Sequence, residues 1–121
     1  MKILVVDDSS TMRRIIINAL KQFMPDADLV EAKDGNEGIE QLSANQDVEL
    51  ILSDWNMPNC DGLTFLKEVV KTGHKAPVIM VTTEAEKGNV VTAIKSGAKN
   101  YVTKPFTPDV LKAKISQTLG L

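Results

Sequence analysis

The stretch "ELILSDWNMPNCDG", residues 49–62, decides the fold. Val48, Leu50, Ile51 and Leu52 make a nearly continuous apolar run. A strand with one wet face would alternate apolar and polar residues. A continuous run reads instead as a strand covered on both faces, as in a parallel sheet. The run then ends abruptly on Ser53 and Asp54, with Trp55, Asn56 and Pro58 close behind. A carboxylate at the tip of so apolar a strand either caps a turn or is held there for its chemistry.

Outward from this stretch, "KILVV" (2–6) and "PVIMVT" (77–82) are similarly apolar, whereas "LVEA" (29–32) and "NYVT" (100–103) are mixed and suit sheet edges. Helical patterns fill the gaps. Residues 10–23 place Met12, Ile15, Ile16, Ala19, Leu20 and Phe23 at spacings of three and four, and Pro25 stops that helix. Asp34 with Glu37 resembles a capping arrangement for a short helix through Leu42, weakened by Gly35 and Gly38. Asp61 caps a helix carrying Leu63, Phe65, Leu66, Val69 and Val70 and ending at Gly73. A helix near 86–96 carries Val90, Val91 and Ile94 and ends at Gly97. Thr107 and Pro108 open a last helix with Leu111, Ile115 and Leu119.

Five strand–helix units imply an α/β fold, a doubly wound parallel sheet of the flavodoxin-like (βα)5 kind. The strand order 2-1-3-4-5 is the common solution at this size, although the pattern alone does not dictate it. A barrel would need eight units. The 121 residues suit one domain, 1–121. With 43% hydrophobic and 25% charged residues, the chain has an ordinary globular composition rather than a disordered one. A net charge of −2 suggests neither a nucleic-acid nor a membrane partner. No apolar stretch approaches the roughly 20 residues that span a bilayer. "MKILVVDDSS" makes a poor signal peptide, and the single Cys60 is compatible with a reducing cytosol.

In such a sheet, ligands bind beyond the carboxyl ends of the strands, near the point where strand order reverses. Asp7 and Asp8 follow the first strand, Asp54 ends the third, Thr82 and Thr83 end the fourth, and Lys104 ends the fifth before Pro105. With the order 2-1-3-4-5, the reversal lies where the three carboxylates sit. Each residue alone reads as a turn, a cap or a surface charge; together they form a rim. Two like charges about 4 Å apart cost roughly 4 kcal/mol at an effective dielectric near 20. Lys104 alone does not neutralise three carboxylates, so some are protonated or a cation sits among them. An all-oxygen site favours a hard divalent ion, Mg2+ before Mn2+ or Ca2+. Mg2+ keeps waters and recruits phosphate oxygens, which points to phosphoryl transfer. Asp54, alone at a central strand end, is the best nucleophile candidate. Asp7 and Asp8 suit a paired metal holder, and Thr82 and backbone N–H groups suit hydrogen-bond donors to the transferred group.

"VVDDSSTMRR", "LSDWNMPNCDG", "VTTEAE" and "YVTKPFTP" together resemble the response-regulator receiver domain over the whole chain. "DWNMPN" is particular to the single-domain chemotaxis members of that family. The resemblance implies that Asp54 is phosphorylated. It implies that Asp8 and Asp54 bind Mg2+ through side chains, Asn56 through its carbonyl, and Asp7 mainly through water. Lys104 would pair with the phosphoryl group, Thr82 would move to hydrogen-bond it, and Tyr101 would change rotamer in concert. The fourth helix, fifth strand and fifth helix would then form an altered binding face. Asn56 and Glu84 would tune self-dephosphorylation.

The implied partners are a histidine kinase of the CheA type and the flagellar motor switch protein, with a phosphatase in addition. The implied protein is a cytoplasmic, monomeric signalling protein rather than an enzyme, one that promotes its own phosphorylation and dephosphorylation. A phosphate sink or phosphorelay carrier would use the same chemistry. Two residues depart from the usual pattern: Thr83 stands where Ala is common, and Cys60 where Met or another residue is usual. Trp55 reads as a partly exposed ring beside the site, His74 as a solvated turn residue, and Arg13 and Arg14 as the wet face of the first helix, open to phosphatase or motor contacts.

Two rival classes fit less well. A flavodoxin-like FMN protein would want a phosphate loop after the first strand, where Asp7 and Asp8 would repel phosphate. It would also want an aromatic pair to sandwich the flavin. A hydrolase of the aspartyl-phosphate type would place its nucleophile two residues before its acid, not beside it.

Overall fold

The computed structural model describes residues 1–57, 60–83 and 88–121. Its elements alternate as β1 (Lys2–Val6), α1 (Ser10–Phe23), β2 (Asp28–Ala32), α2 (Gly35–Ala44), β3 (Leu50–Asp54), α3 (Gly62–Thr72), β4 (Val78–Thr83), α4 (Val90–Lys95), β5 (Asn100–Lys104) and α5 (Pro108–Leu119). The five strands form one parallel sheet in the order β2-β1-β3-β4-β5. Every residue of β3 is buried, whereas β2 and β5 carry mixed faces, as edges do.

Alternate residues of each central strand feed opposite cores. Ile3, Val5, Leu50, Leu52, Ile79 and Val81 pack under α1 and α5 with Ile16, Leu20, Leu111 and Ile115. Leu4, Val6, Ile51 and Met80 pack on the other face with Phe65, Leu66 and Val69 of α3. Both faces of the sheet therefore exclude water, which is why its strands read as continuous apolar runs.

The helix starts follow the capping residues. Ser9 Oγ accepts from the Met12 N–H, Asp34 from Glu37, Asp61 from Thr64 and Thr107 from Val110. The Asp34–Glu37 arrangement departs from a strict capping box, because Glu37 reaches back to the Lys33 N–H instead of that of Asp34. Gly35 and Gly38 weaken α2 as a helix but permit its packing. A Cβ on Gly35 would collide with Cys60 Sγ, and one on Gly38 would lie 2.7 Å from the Phe65 ring.

Some expected core positions prove wet. Ile15, Val70, Val91 and Ile94 are exposed. On α1 the chain buries Ile16, Ala19 and Leu20, with Ile17 partly packed, so Ile15 falls outside the stripe. On α4 only Ala93 is buried, because that helix presents its smallest residue to the core. Pro58 and Glu84, as well as the first part of the helix expected near 86–96, lie outside the described residues.

Candidate functional site

β1 and β3 are neighbours with Val6 opposite Ser53, so Asp7 and Asp54 emerge one residue further on at adjacent strand tips. The parallel register sets this juxtaposition. β4 places Val81 beside Asp54, and β5 places Lys104 beside Thr83. The Lys104 side chain then crosses the rim to Asp54 Oδ1 at 2.9 Å and Asp7 Oδ2 at 3.4 Å. Asp7, Asp8 and Asp54 each offer a carboxylate oxygen within 4.8 Å of the others. Asp7 and Asp54 are buried, whereas Asp8 reaches solvent.

Each buried carboxylate has a backbone donor. Asp7 Oδ1 accepts from the Ser9 N–H at 2.9 Å, and Asp54 Oδ1 accepts from the Trp55 N–H at 2.9 Å. Burial pushes the proton affinity of Asp54 up, with help from the charge of Asp7, against the opposing pull of Lys104 and the Trp55 N–H. Burial likewise raises Asp7, opposed by the Ser9 N–H and Lys104. Burial alone would lower the Lys104 ammonium. Its hydrogen bond to Asp54 and the two carboxylate charges outweigh that and hold it above its ordinary value. Among the described residues, the one lysine that bonds these three acids leaves net negative charge in the cleft. Three converging carboxylates and no thiolate or imidazole suit a hard divalent cation.

Around this centre, Thr82 is buried at the end of β4, its Oγ1 directed to the Thr83 carbonyl at 3.4 Å. Asn56 is exposed two residues past Asp54, and Trp55 is half-buried against the α2–α3 core. Tyr101 stands apart from the rim: it lies beside Met80 in the sheet, with Lys114 Nζ 4.5 Å above its ring. Cys60 is buried, and burial pushes its thiol up, so it stays protonated and unreactive.

Three residues gain roles that spacing did not signal. Gly62 opens α3 against the back of the site: its N–H donates to the Trp55 carbonyl at 2.8 Å, and a Cβ there would strike the Asp54 carbonyl. Close approach, not a left-handed backbone, makes that position glycine. Arg13 is not on the wet face of α1. Its guanidinium binds the Asp7 carbonyl at 2.6 Å and Glu31 at 3.0 Å, while Arg14 is exposed as expected. His74 is half-buried rather than fully solvated. Nδ1 accepts from the Ala76 N–H at 3.2 Å, and Nε2 is buried.

A parallel five-stranded sheet with acids at its reversal point and a lysine laid across them defines a class, and the chain belongs to it: it is a member of the response regulator receiver domain family, whose model matches residues 3–116. Within that family it is 52% identical to the chemotaxis protein CheY homolog of Campylobacter jejuni, over 99% of this chain and 93% of that one. It is 50% identical to the chemotaxis protein CheY1 of Helicobacter pylori, over 99% and 98%. Among solved structures it is similar to a response regulator receiver domain protein from Clostridium thermocellum, with a TM-score of 0.88 and 29% identity over 98% of this chain and 94% of that one. It is also similar to the chemotaxis protein CheY4 of Vibrio cholerae, with a TM-score of 0.86 and 28% identity over 97% of each chain. No helix among the described residues is long and apolar enough to cross a membrane.

Proposed function

We propose that this chain is a phospho-accepting switch of chemotaxis signalling, with residues 1–121 forming one receiver domain and Asp54 as the acceptor. The observation that carries the reading is the Lys104 ammonium held 2.9 Å from a buried Asp54 within a cluster of three acids. Asp8 and Asp54 would hold Mg2+ through their carboxylates, Asn56 through its carbonyl and Asp7 through water. When bound, the ion neutralises charge on the phosphoryl oxygens and on the acids that face them.

The chain's own residues do the rest. Both donors to Asp54 go to Oδ1, which leaves the lone pairs of Oδ2 for attack. Burial raises the basicity of this carboxylate, and Lys104 opposes that rise. Oδ2 forms a bond to phosphorus while the bond from phosphorus to the donor's imidazole nitrogen breaks. That nitrogen leaves with the electron pair and takes up a proton. Lys104 then turns from the carboxylate to the new phosphoryl group, Thr82 donates its hydroxyl, and Tyr101 changes rotamer. Asn56 and Glu84 set the rate at which water removes the phosphoryl group, so the protein promotes both its phosphorylation and its dephosphorylation without being an enzyme of turnover.

Exposed Val91 and Ile94 on α4 and Val110 on α5 support the α4-β5-α5 side as the docking face. A cytoplasmic histidine kinase of the CheA type is the proposed donor and the flagellar motor switch protein the proposed target. The relatives' naming as chemotaxis proteins favours this target over a sink or relay role. Such a switch works only if the partner binds the two states unequally. The deciding experiment incubates the protein with Mg2+ and acetyl phosphate and follows intact mass. The wild type gains one phosphoryl group that base or hydroxylamine removes, and Asp54→Ala gains none; an unmodified wild type sinks the reading.

A further inference from the structure

We propose that Arg13 is a positioning residue for the metal site, a strut that fixes the peptide between Asp7 and Asp8; this rests on the reading of those acids as Mg2+ ligands. Asp7 is pinned from several sides. Its N–H donates to the Ala32 carbonyl of β2 at 3.0 Å, and its Oδ1 accepts from Ser9. Its carbonyl accepts from Arg13 Nη1 at 2.6 Å. Arg13 Nε meanwhile donates to Glu31 Oε1 at 3.0 Å, and Glu31 lies in β2 opposite Val5.

One guanidinium thus ties three elements together: α1 that carries it, the edge strand β2, and the loop that bears the acids. The carbonyl it grips belongs to the peptide plane that leads directly into Asp8. Asp8 is exposed and has no comparable hold among the described residues, so rotation of that plane would swing its carboxylate away from Asp54. The guanidinium meets the carbonyl through Nη1 and the carboxylate through Nε, two donors held in one plane; an ammonium would have to meet both from a single nitrogen. Partners one step behind a metal ligand commonly set affinity in this way.

Electrostatics makes the inference sharp, because charge and geometry predict opposite signs. Arg13 is a cation near a cation site, so as a charge alone it opposes Mg2+, and its loss would tighten binding. As a strut, its loss weakens binding. The test is a Mg2+ titration of the full chain without phosphodonor, following the amide signals of Ser9 and Trp55, whose N–H groups bind the Asp7 and Asp54 carboxylates. It is run where circular dichroism shows each variant folded.

Arg13→Met is expected to weaken Mg2+ about ten-fold or more. Arg13→Lys, which keeps the charge but not the fork, is expected to be weakened too. Glu31→Ala, which removes the acceptor at the far end of the strut, shifts affinity in the same direction by less. Unchanged or tighter binding in Arg13→Met, or full recovery in Arg13→Lys, overturns the proposal. If Arg13→Met does not fold, Glu31→Ala compared with Glu31→Gln decides: both lose the half-exposed charge, only the Ala variant loses the acceptor, and its affinity must fall further. A wild type with no saturable Mg2+ response would instead remove the metal reading itself, and the strut with it.

Discussion

Each end of the sheet has one lysine bridging two aspartates, and the carboxyl end adds the exposed Asp8. At the carboxyl end Lys104 pairs with Asp7 and Asp54. At the amino end Lys2 pairs with Asp28 and Asp47, at 3.8 and 3.1 Å, and also donates to Asn45. Burial separates them. The side chains of Asp28 and Asp47 are 72% and 70% exposed, whereas those of Asp7 and Asp54 are 1% and 9% exposed. The hydrogen bond from Lys2 pulls Asp47 below the usual carboxylate range; burial pushes Asp7 and Asp54 above it. One cluster is a clip that water relaxes. The other stores unfavourable charge in a place where a cation and a phosphoryl group would relieve it. Identical residue types become structural or chemical according to how much water reaches them.

The largest contrast between the ends should be chemical. Asp54→Ala is expected to abolish phosphoryl uptake from acetyl phosphate, while Asp28→Ala and Asp47→Ala retain wild-type uptake by intact mass. If an amino-end variant lost uptake while still folded, the two clusters would not be separable.

Next comes Lys104→Met, which strips the cation from two buried acids. In chelator at pH 7 it should lower unfolding free energy by about 2–4 kcal/mol, measured by urea titration. Lys2→Met should change the midpoint much less, because salt and water already screen its partners. Equal losses would break the comparison.

Gly62→Ala probes the support beneath Asp54. Its Cβ meets the Asp54 carbonyl, so a loss of about 1–3 kcal/mol is expected, accompanied by weaker Mg2+ binding. Gly120→Ala offers an end-of-helix control: no heavy atom lies within 4 Å, and only its left-handed backbone opposes the change.

The smallest effect is on pH. A carboxyl whose folded pKa exceeds its unfolded value makes the folded state bind protons first. Ionised Asp7 and Asp54 therefore penalise the fold above their raised pKa values, and the penalty is relieved as pH falls through them toward the ordinary value of 3.8. In chelator this contribution should raise stability as pH falls from neutral through the two raised values. Asp54→Asn should flatten the rise. Saturating Mg2+ should reverse it, since the ion binds the deprotonated acids and stabilises the fold at neutral pH by mass action. Asp47, held low by Lys2, works in the opposite sense: its support is present above its unfolded value and fades as pH drops through its lowered one. An Asp54→Asn curve in chelator that matches the wild type's would show that Asp54 is not raised.

Much of this was written along the chain. Leu50–Leu52, flanked by similar runs at Ile3–Val6 and Val78–Val81, announces strands buried on both faces, and Asp54 is indeed the last residue of β3. Ser9, Asp61 and Thr107 cap helices by local bonds of three residues' reach, which spacing can display. Arg13 looked like surface because its partners, the Asp7 carbonyl and Glu31, lie in a loop and a strand that only the sheet brings within reach. His74 is half-buried for a similar reason: it lines a cleft together with Ile39, Leu42 and Gln46 of the preceding unit, which are distant in sequence. Val91 and Ile94 looked like core because periodicity shows which residues share a helix face, not whether a neighbour covers it.

By itself, then, the sequence determined the alternation of strands and helices, the helix ends, and which strand tips bear acids, a hydroxyl and an ammonium. These depend on local sterics, hydrogen bonds of short reach and hydrophobic period. The tertiary structure decided that β1 lies between β2 and β3, and therefore that Asp7 and Asp54 meet under the Lys104 side chain from residues 50 or more positions away. It also decided which of two Lys–Asp–Asp clusters is buried. Burial is a property of what packs around a group, and no spacing along the chain records it.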